Sequence, residues 1–172
     1  MAVLTNYEGS NDDYENGGTS GGRCQSFKLP SNSSVSSVSF YGSRGNAASG
    51  NTRFSIHEGT ATGTEKAGKT VSYTTLTTYG SAAWNEITFD APVDLVAGTT
   101  YFLKVLSLTG SGVDEIRWST DTSAPGYGDG GAWYGTGDAS YVDYSSTRDK
   151  NFRINGTVSG GAVQNSNFLM FM

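Results

Sequence analysis

Few residues in this 172-residue chain could begin a reaction. A nucleophile needs a base that titrates near neutrality, usually histidine, and the sequence holds one, His57. It ends the run Thr52–His57, where Phe54 and Ile56 alternate with Arg53, Ser55 and His57. That period of two sends His57 to the solvent side of a half-buried strand. No Gly-x-Ser-x-Gly element stands at a strand-to-helix junction to expose a serine nucleophile. Two carboxylates held ~5–9.5 Å apart could cleave a glycoside. The candidates are Glu58, Glu65, Asp90, Asp94, Asp114, Glu115, Asp129, Asp138, Asp143 and Asp149, with Glu86 the other strand carboxylate of interest. Most of them sit beside Gly, Ser or Thr in expected turns, where aspartate caps its own backbone. No catalytic set emerges, and the expectation is a protein that is not an enzyme.

Metal chemistry is equally constrained. One cysteine, Cys24, and one histidine cannot make a typical structural zinc site, and a lone cysteine forms no disulfide within the chain. Asn11–Gly17 superficially suggests an EF-hand loop, but its ligand spacing fails. No cofactor is expected, and a structural calcium held by loop oxygens is left open.

The aromatic residues are the stronger lead. Flat rings pack against the C–H faces of sugars while amides and carboxylates take the hydroxyls. Residues 118–144 gather Trp118, Tyr127, Trp133, Tyr134, Tyr141 and Tyr144 among aspartates and glycines. Tyr127, Asp129, Trp133, Tyr134 and Tyr141 form the candidate glycan platform. Trp118, opposite Arg117 on an alternating strand, belongs in the core. For Tyr127, Trp133 and Tyr134 the alternative is structural, with rings filling the core or covering sheet edges.

The elements that would carry these residues are strands. Gly, Ser, Thr and Asn make up nearly half of the chain, and only 16% of residues are charged, against about 25% in an average domain. Good helix formers are sparse, which excludes a bundle or coiled coil. Segments with a period of two fall at Arg23–Leu29, Ser34–Tyr41, Thr52–His57, Lys69–Tyr79, Asn85–Phe89, Thr99–Leu108, Glu115–Ser119 and Phe152–Val158, with weaker ones near Ala132–Tyr134 and Tyr141–Tyr144. The run Tyr101–Leu106 is the most apolar and predicts a central strand, and Pro92 predicts a strand end. Eight to ten short strands with Gly-rich turns specify an all-β fold, a single antiparallel sandwich. Residues 1–22, rich in Gly, Asn and Asp, read as a poorly structured lead-in. Residues 23–158 are the sandwich domain, and 159–172 a tether carrying an apolar segment.

Three stretches together resemble a known family. Trp84 through Val105 is similar to the central motif of a widespread jelly-roll β-sandwich module. Cys24–Phe27 with Val35–Tyr41 resembles its opening strands, and Arg117–Ser119, Tyr127, Gly130–Ala132 and Asn151–Gly156 its closing ones. Such carbohydrate-binding-like modules occur in secreted proteins and in the structural proteins of tailed bacteriophages. The resemblance covers roughly residues 24–158 and implies a jelly-roll fold. Its motifs are strand and turn positions, and it brings no catalytic residues.

The setting follows from charge and tails. A net charge of −5 without a basic stripe disfavours nucleic acid, and no apolar run approaches the ~20 residues of a membrane span. No signal peptide is visible at the N-terminus, although the composition is that of an extracellular protein. A virion protein released by lysis reconciles the two. Phe168, Leu169, Met170, Phe171 and Met172 form an apolar segment that something must cover, and it is the candidate assembly segment. The expected function is therefore that of a non-enzymatic virion subunit (decoration, fibre or tail protein). It would assemble with itself and with capsid or tail proteins, and would also contact host surface glycans. The alternative is a free secreted or cell-surface carbohydrate-binding or adhesin module.

Overall fold

The structure, a computed structural model, describes residues 1–17, 21–46, 49–108, 116–136 and 138–159. Thirteen strands fill them: β1 (Ala2–Tyr7), β2 (Asp13–Gly17), β3 (Arg23–Phe27), β4 (Ser33–Arg44), β5 (Asn51–Glu58), β6 (Glu65–Ser72), β7 (Ala83–Leu95), β8 (Tyr101–Ser107), β9 (Ile116–Asp121), β10 (Ala132–Thr136), β11 (Ser140–Asp143), β12 (Asp149–Lys150) and β13 (Phe152–Val158). They form two antiparallel sheets packed into a sandwich. One has seven strands in the order β1-β13-β4-β9-β12, with β2 also on β9 and β7 on β4; the other runs β11-β10-β3-β8-β5-β6. The apolar β8 lies inside the second sheet, flanked by β3 and β5, as its sequence predicts.

The core between the sheets is aromatic. Phe40 of β4 stacks on Phe54 of β5 at 5.2 Å between centroids, and Trp118 of β9 meets Phe40 edge-on at 6.2 Å. Trp118 is fully buried, and its indole Nε1–H donates to the Asn151 carbonyl at 2.8 Å, so burying the ring leaves no donor unpaired.

Three expectations change. The first residues are strands of the seven-stranded sheet, not a lead-in: β1 pairs with β13 and β2 with β9. Main-chain pairing and side-chain clamps hold them, with little help from apolar alternation. Tyr7 Oη donates to Asp121 at 2.7 Å, and Asn151 Nδ2 donates to Asn11 Oδ1 at 2.9 Å. The strand expected over Lys69–Tyr79 stops at Ser72. A single 3-10 turn, Tyr73–Thr75, follows and buries Tyr73, whose hydroxyl donates to Ser107 Oγ at 2.7 Å.

Pro92 does not end β7. The register against β4 jumps from Thr88 opposite Ser37 to Val93 opposite Val35, so Phe89–Pro92 bulge past Ser36. Among the described residues β7 is a sheet edge paired only with β4, where a residue without an N–H is tolerated. The tether beyond Ser159 and the segment Phe168–Met172 lie outside the described residues.

Candidate functional site

The outer face of the six-stranded sheet holds the unusual chemistry. Inward positions on its strands, Phe54, Ile56, Leu103 and Val105, belong to the core. The alternating outward positions should be solvated. Register instead lines up Trp133, Cys24, Lys104 and Ser55 in one row, and Phe102, His57 and Glu65 in the next. Lys104 is 5% exposed and His57 6%.

Two connections bury this face: the loop Gly59–Thr64 between β5 and β6, and the turn at Asp138–Ala139 just before β11. The loop begins with Gly59 at φ +78°, in the left-handed region that favours glycine. It is pinned from beneath at two carbonyls. Lys104 Nζ donates to Ala61 O at 3.3 Å and to Asp138 Oδ1 at 2.7 Å, tying loop to turn. His57 Nδ1 lies 2.9 Å from Gly63 O, and His57 Nε2 lies 2.9 Å from Ser55 Oγ. A carbonyl only accepts, so Nδ1 carries the proton, and in the neutral ring Nε2 accepts from the Ser55 hydroxyl.

His57 is therefore not the exposed strand residue that the alternation implied. The loop covers it, and a strand pattern cannot announce a loop folding back. Ser55 and His57 have the contact geometry of a nucleophile and base, but Ser55 is 1% exposed and neither residue lines a described pocket. His57 fixes the Gly63 carbonyl and with it the loop.

Above the pinned loop lies a pocket of about 430 Å³, lined by Gly59, Thr60, Ala61, Thr62, Thr100, Phe102, Trp133, Ala139 and Tyr141. Trp133 meets Phe102 edge-on at 5.4 Å. Tyr141 Oη donates to Asp138 Oδ1 at 3.2 Å. Burial, and then the neighbouring Cys24 and Asp138, push the Tyr141 hydroxyl far above the ordinary tyrosine range. Burial likewise pushes the Cys24 thiol up to about 12 despite the nearby Lys104, which makes it an inert thiol. Trp133 Nε1 is buried and has no hydrogen-bond acceptor among the described residues.

The structure brings together two of the five candidate platform residues, Trp133 and Tyr141. Tyr134 takes the opposite face of β10, where it carries the Arg23 guanidinium 3.5 Å from its ring centroid. Tyr127 packs edge-on against Phe152 at 5.2 Å, with its hydroxyl 3.1 Å from Thr5 Oγ1, away from the pocket that Trp133 and Tyr141 line. Asp129 is exposed in the loop before β10 and does not line the pocket. Sequence reasoning missed Thr60, Ala61 and Thr62, which carried no pattern, and Phe102, whose apolar neighbours hid its outward direction.

The seven-stranded sheet has a different outer face. Trp84 there lies under the Arg153 guanidinium at 3.9 Å and edge-on to Tyr41 at 5.5 Å. Arg153 is gripped by both Glu8 oxygens, at 2.8 and 3.0 Å. Trp84 borders three depressions of about 710, 340 and 250 Å³, the largest running between the edge strands β6 and β7.

Two buried carboxylates, Asp121 and Asp149, face each other across β9 and β12. Burial raises the Asp149 carboxyl. Burial would raise Asp121 too, but hydrogen bonds from Tyr7 and from the Ala124, Ser10 and Ser123 amides outweigh it and bring the group down to about 2. Both serve as caps and clamps of the main chain. Among the described residues, no group of three His, Cys, Asp or Glu side chains could hold a metal ion. No protein-family model matches the chain, and no curated protein matches it either.

Proposed function

We propose that this sandwich is a non-catalytic binding module that takes a saccharide unit in the pocket between the Gly59–Thr64 loop and β10–β11. The observation that carries the reading is the convergence of half-buried Trp133 and Tyr141 with Thr60, Thr62 and Thr100 around one concave site. Rings supply the apolar face a sugar stacks on, and hydroxyls supply a few oriented hydrogen bonds. The Lys104–Asp138 ion pair and the His57–Gly63 bond preform the wall, so little ordering free energy is lost on binding. The resemblance to carbohydrate-binding-like jelly-roll modules points the same way. A glycan array followed by titration tests it. Trp133→Ala should weaken the best ligand about thirtyfold or more, as truncating a central aromatic anchor does. Tyr134→Ala, on the opposite face, should leave affinity unchanged. Binding that survives Trp133→Ala sinks the reading.

A second role, as a subunit of a phage particle that assembles through Phe168–Met172, is favoured by that apolar run in a weakly charged, extracellular-like chain. Deleting residues 167–172 should then lower the native mass of the assembly or abolish incorporation into the particle. An unchanged mass and unchanged incorporation dismiss assembly through that segment.

A further inference from the structure

Resting on the saccharide reading, we infer that the pocket selects an N-acetylated hexosamine unit over an unsubstituted hexose. Two features of the site carry this. Its floor and one wall are apolar, made of Ala61, Phe102, Ala139 and the Trp133 ring, and its lining hydroxyls come from threonines and Tyr141. The Tyr141 hydroxyl is already spent on Asp138. A hexose presents a hydroxyl at nearly every ring position, and hydroxyls turned toward Phe102 and Ala61 would lose water without gaining a partner. An acetamido methyl instead fits an apolar floor.

The second feature is the unused donor. Trp133 Nε1–H is buried and lacks an acceptor among the described residues, a costly condition for a native indole. An acetamide carries a carbonyl acceptor beside its methyl, so one substituent offers a partner to both the apolar lining and the unpaired indole. The side chains near the pocket favour a neutral group. Lys104 is spent on Asp138 and Ala61 O, and no other cation is among the described residues that line the pocket to take a sugar carboxylate or sulfate.

The test is calorimetric titration of the full chain with N-acetylglucosamine, N-acetylgalactosamine, glucose, galactose and the 6-deoxy sugar fucose. The N-acetyl sugars should bind about tenfold tighter than the parent hexoses, the combined effect of one buried methyl and one added hydrogen bond. Fucose, with a methyl but no carbonyl, should fall between. Trp133→Phe keeps a ring and removes the donor, and should cut the N-acetyl advantage about fivefold while leaving hexose affinity nearly unchanged. Far-UV circular dichroism verifies that the variant folds. Equal affinity for N-acetyl sugars and hexoses, with both lost in Trp133→Ala, overturns the selectivity and leaves the saccharide reading standing. Absence of binding to every sugar, or binding indifferent to Trp133→Ala, overturns both.

Discussion

The two outer faces of the sandwich start from the same strand alternation and end differently. On the seven-stranded sheet, Trp84, Tyr41, Arg153 and Glu8 lie side by side as a partly solvated ladder of cation–π and ionic contacts. On the six-stranded sheet, Lys104, His57, Ser55 and Cys24 are sealed under a loop and a turn. Side chains on the first face hold one another. On the second, Lys104 and His57 hold main-chain carbonyls of the covering loop, and that loop walls a pocket. Burying polar groups costs free energy unless every one finds a partner, so the second face must be built precisely, whereas the first tolerates change. Pocket shape is the return on that precision.

Substitutions can break this contrast, beginning with the largest effect. Lys104→Ala removes the ammonium that joins the Ala61 carbonyl to Asp138 and leaves space under the loop. It should destabilise the fold by about 2–3 kcal/mol in chemical denaturation, below the full cost of a split buried pair because Asp138 regains water. It should also weaken the pocket's ligand.

On the seven-stranded sheet the largest single effect should come from Asp121, which clamps the N-terminal strands. Asp121→Asn should cost about 1–2 kcal/mol at neutral pH. Because the native carboxyl titrates near 2, below its ordinary value of 3.8, its contribution is fully present above about pH 4 and is lost as pH falls toward 2. An acid titration of stability should show that loss in the wild type and a shallower one in Asp121→Asn.

Arg153→Ala, on the ladder, should cost only about 0.5–1 kcal/mol, the sum of an exposed ion pair and one cation–π contact. A cost equal to that of Lys104→Ala would erase the contrast between the faces.

The smallest effect is an absence of reaction. Cys24, with its thiol pushed up to about 12 by burial, should resist iodoacetamide at pH 8 in the native protein, monitored by mass. Lys104→Ala, which loosens the cover, should let it react measurably faster.

Much of the fold was legible because β-sandwich strands announce themselves by period and by glycine turns. Phe54 and Ile56 alternate with Arg53 and Ser55, and Trp118 alternates with Arg117; the structure buries Phe54, Ile56 and Trp118. β2 was not legible, since its Asp, Asn and Gly look like loop, and β1, Ala2–Tyr7, lacks a clean apolar alternation; main-chain pairing and Tyr7–Asp121 make them strands.

The candidate site was legible in part. Trp133 and Tyr141 stand out by type, but alternation along β10 alone separates Trp133 from Tyr134, and nothing local shows that the β5–β6 loop returns over His57. The signal available was the loop's own composition. Gly59-Thr-Ala-Thr-Gly-Thr64 is short, uncharged and without large side chains, suited to lying flat on a sheet.

The most direct measurement uses the three tryptophans, Trp84, Trp118 and Trp133, each giving one indole N–H resonance in a proton–nitrogen correlation spectrum. They report on the seven-stranded outer face, the core and the pocket respectively. Titration with the tightest saccharide from the array should move the Trp133 indole resonance and leave those of Trp84 and Trp118 in place. Movement of Trp84 with Trp133 unmoved would transfer the site to the opposite sheet and contradict the account.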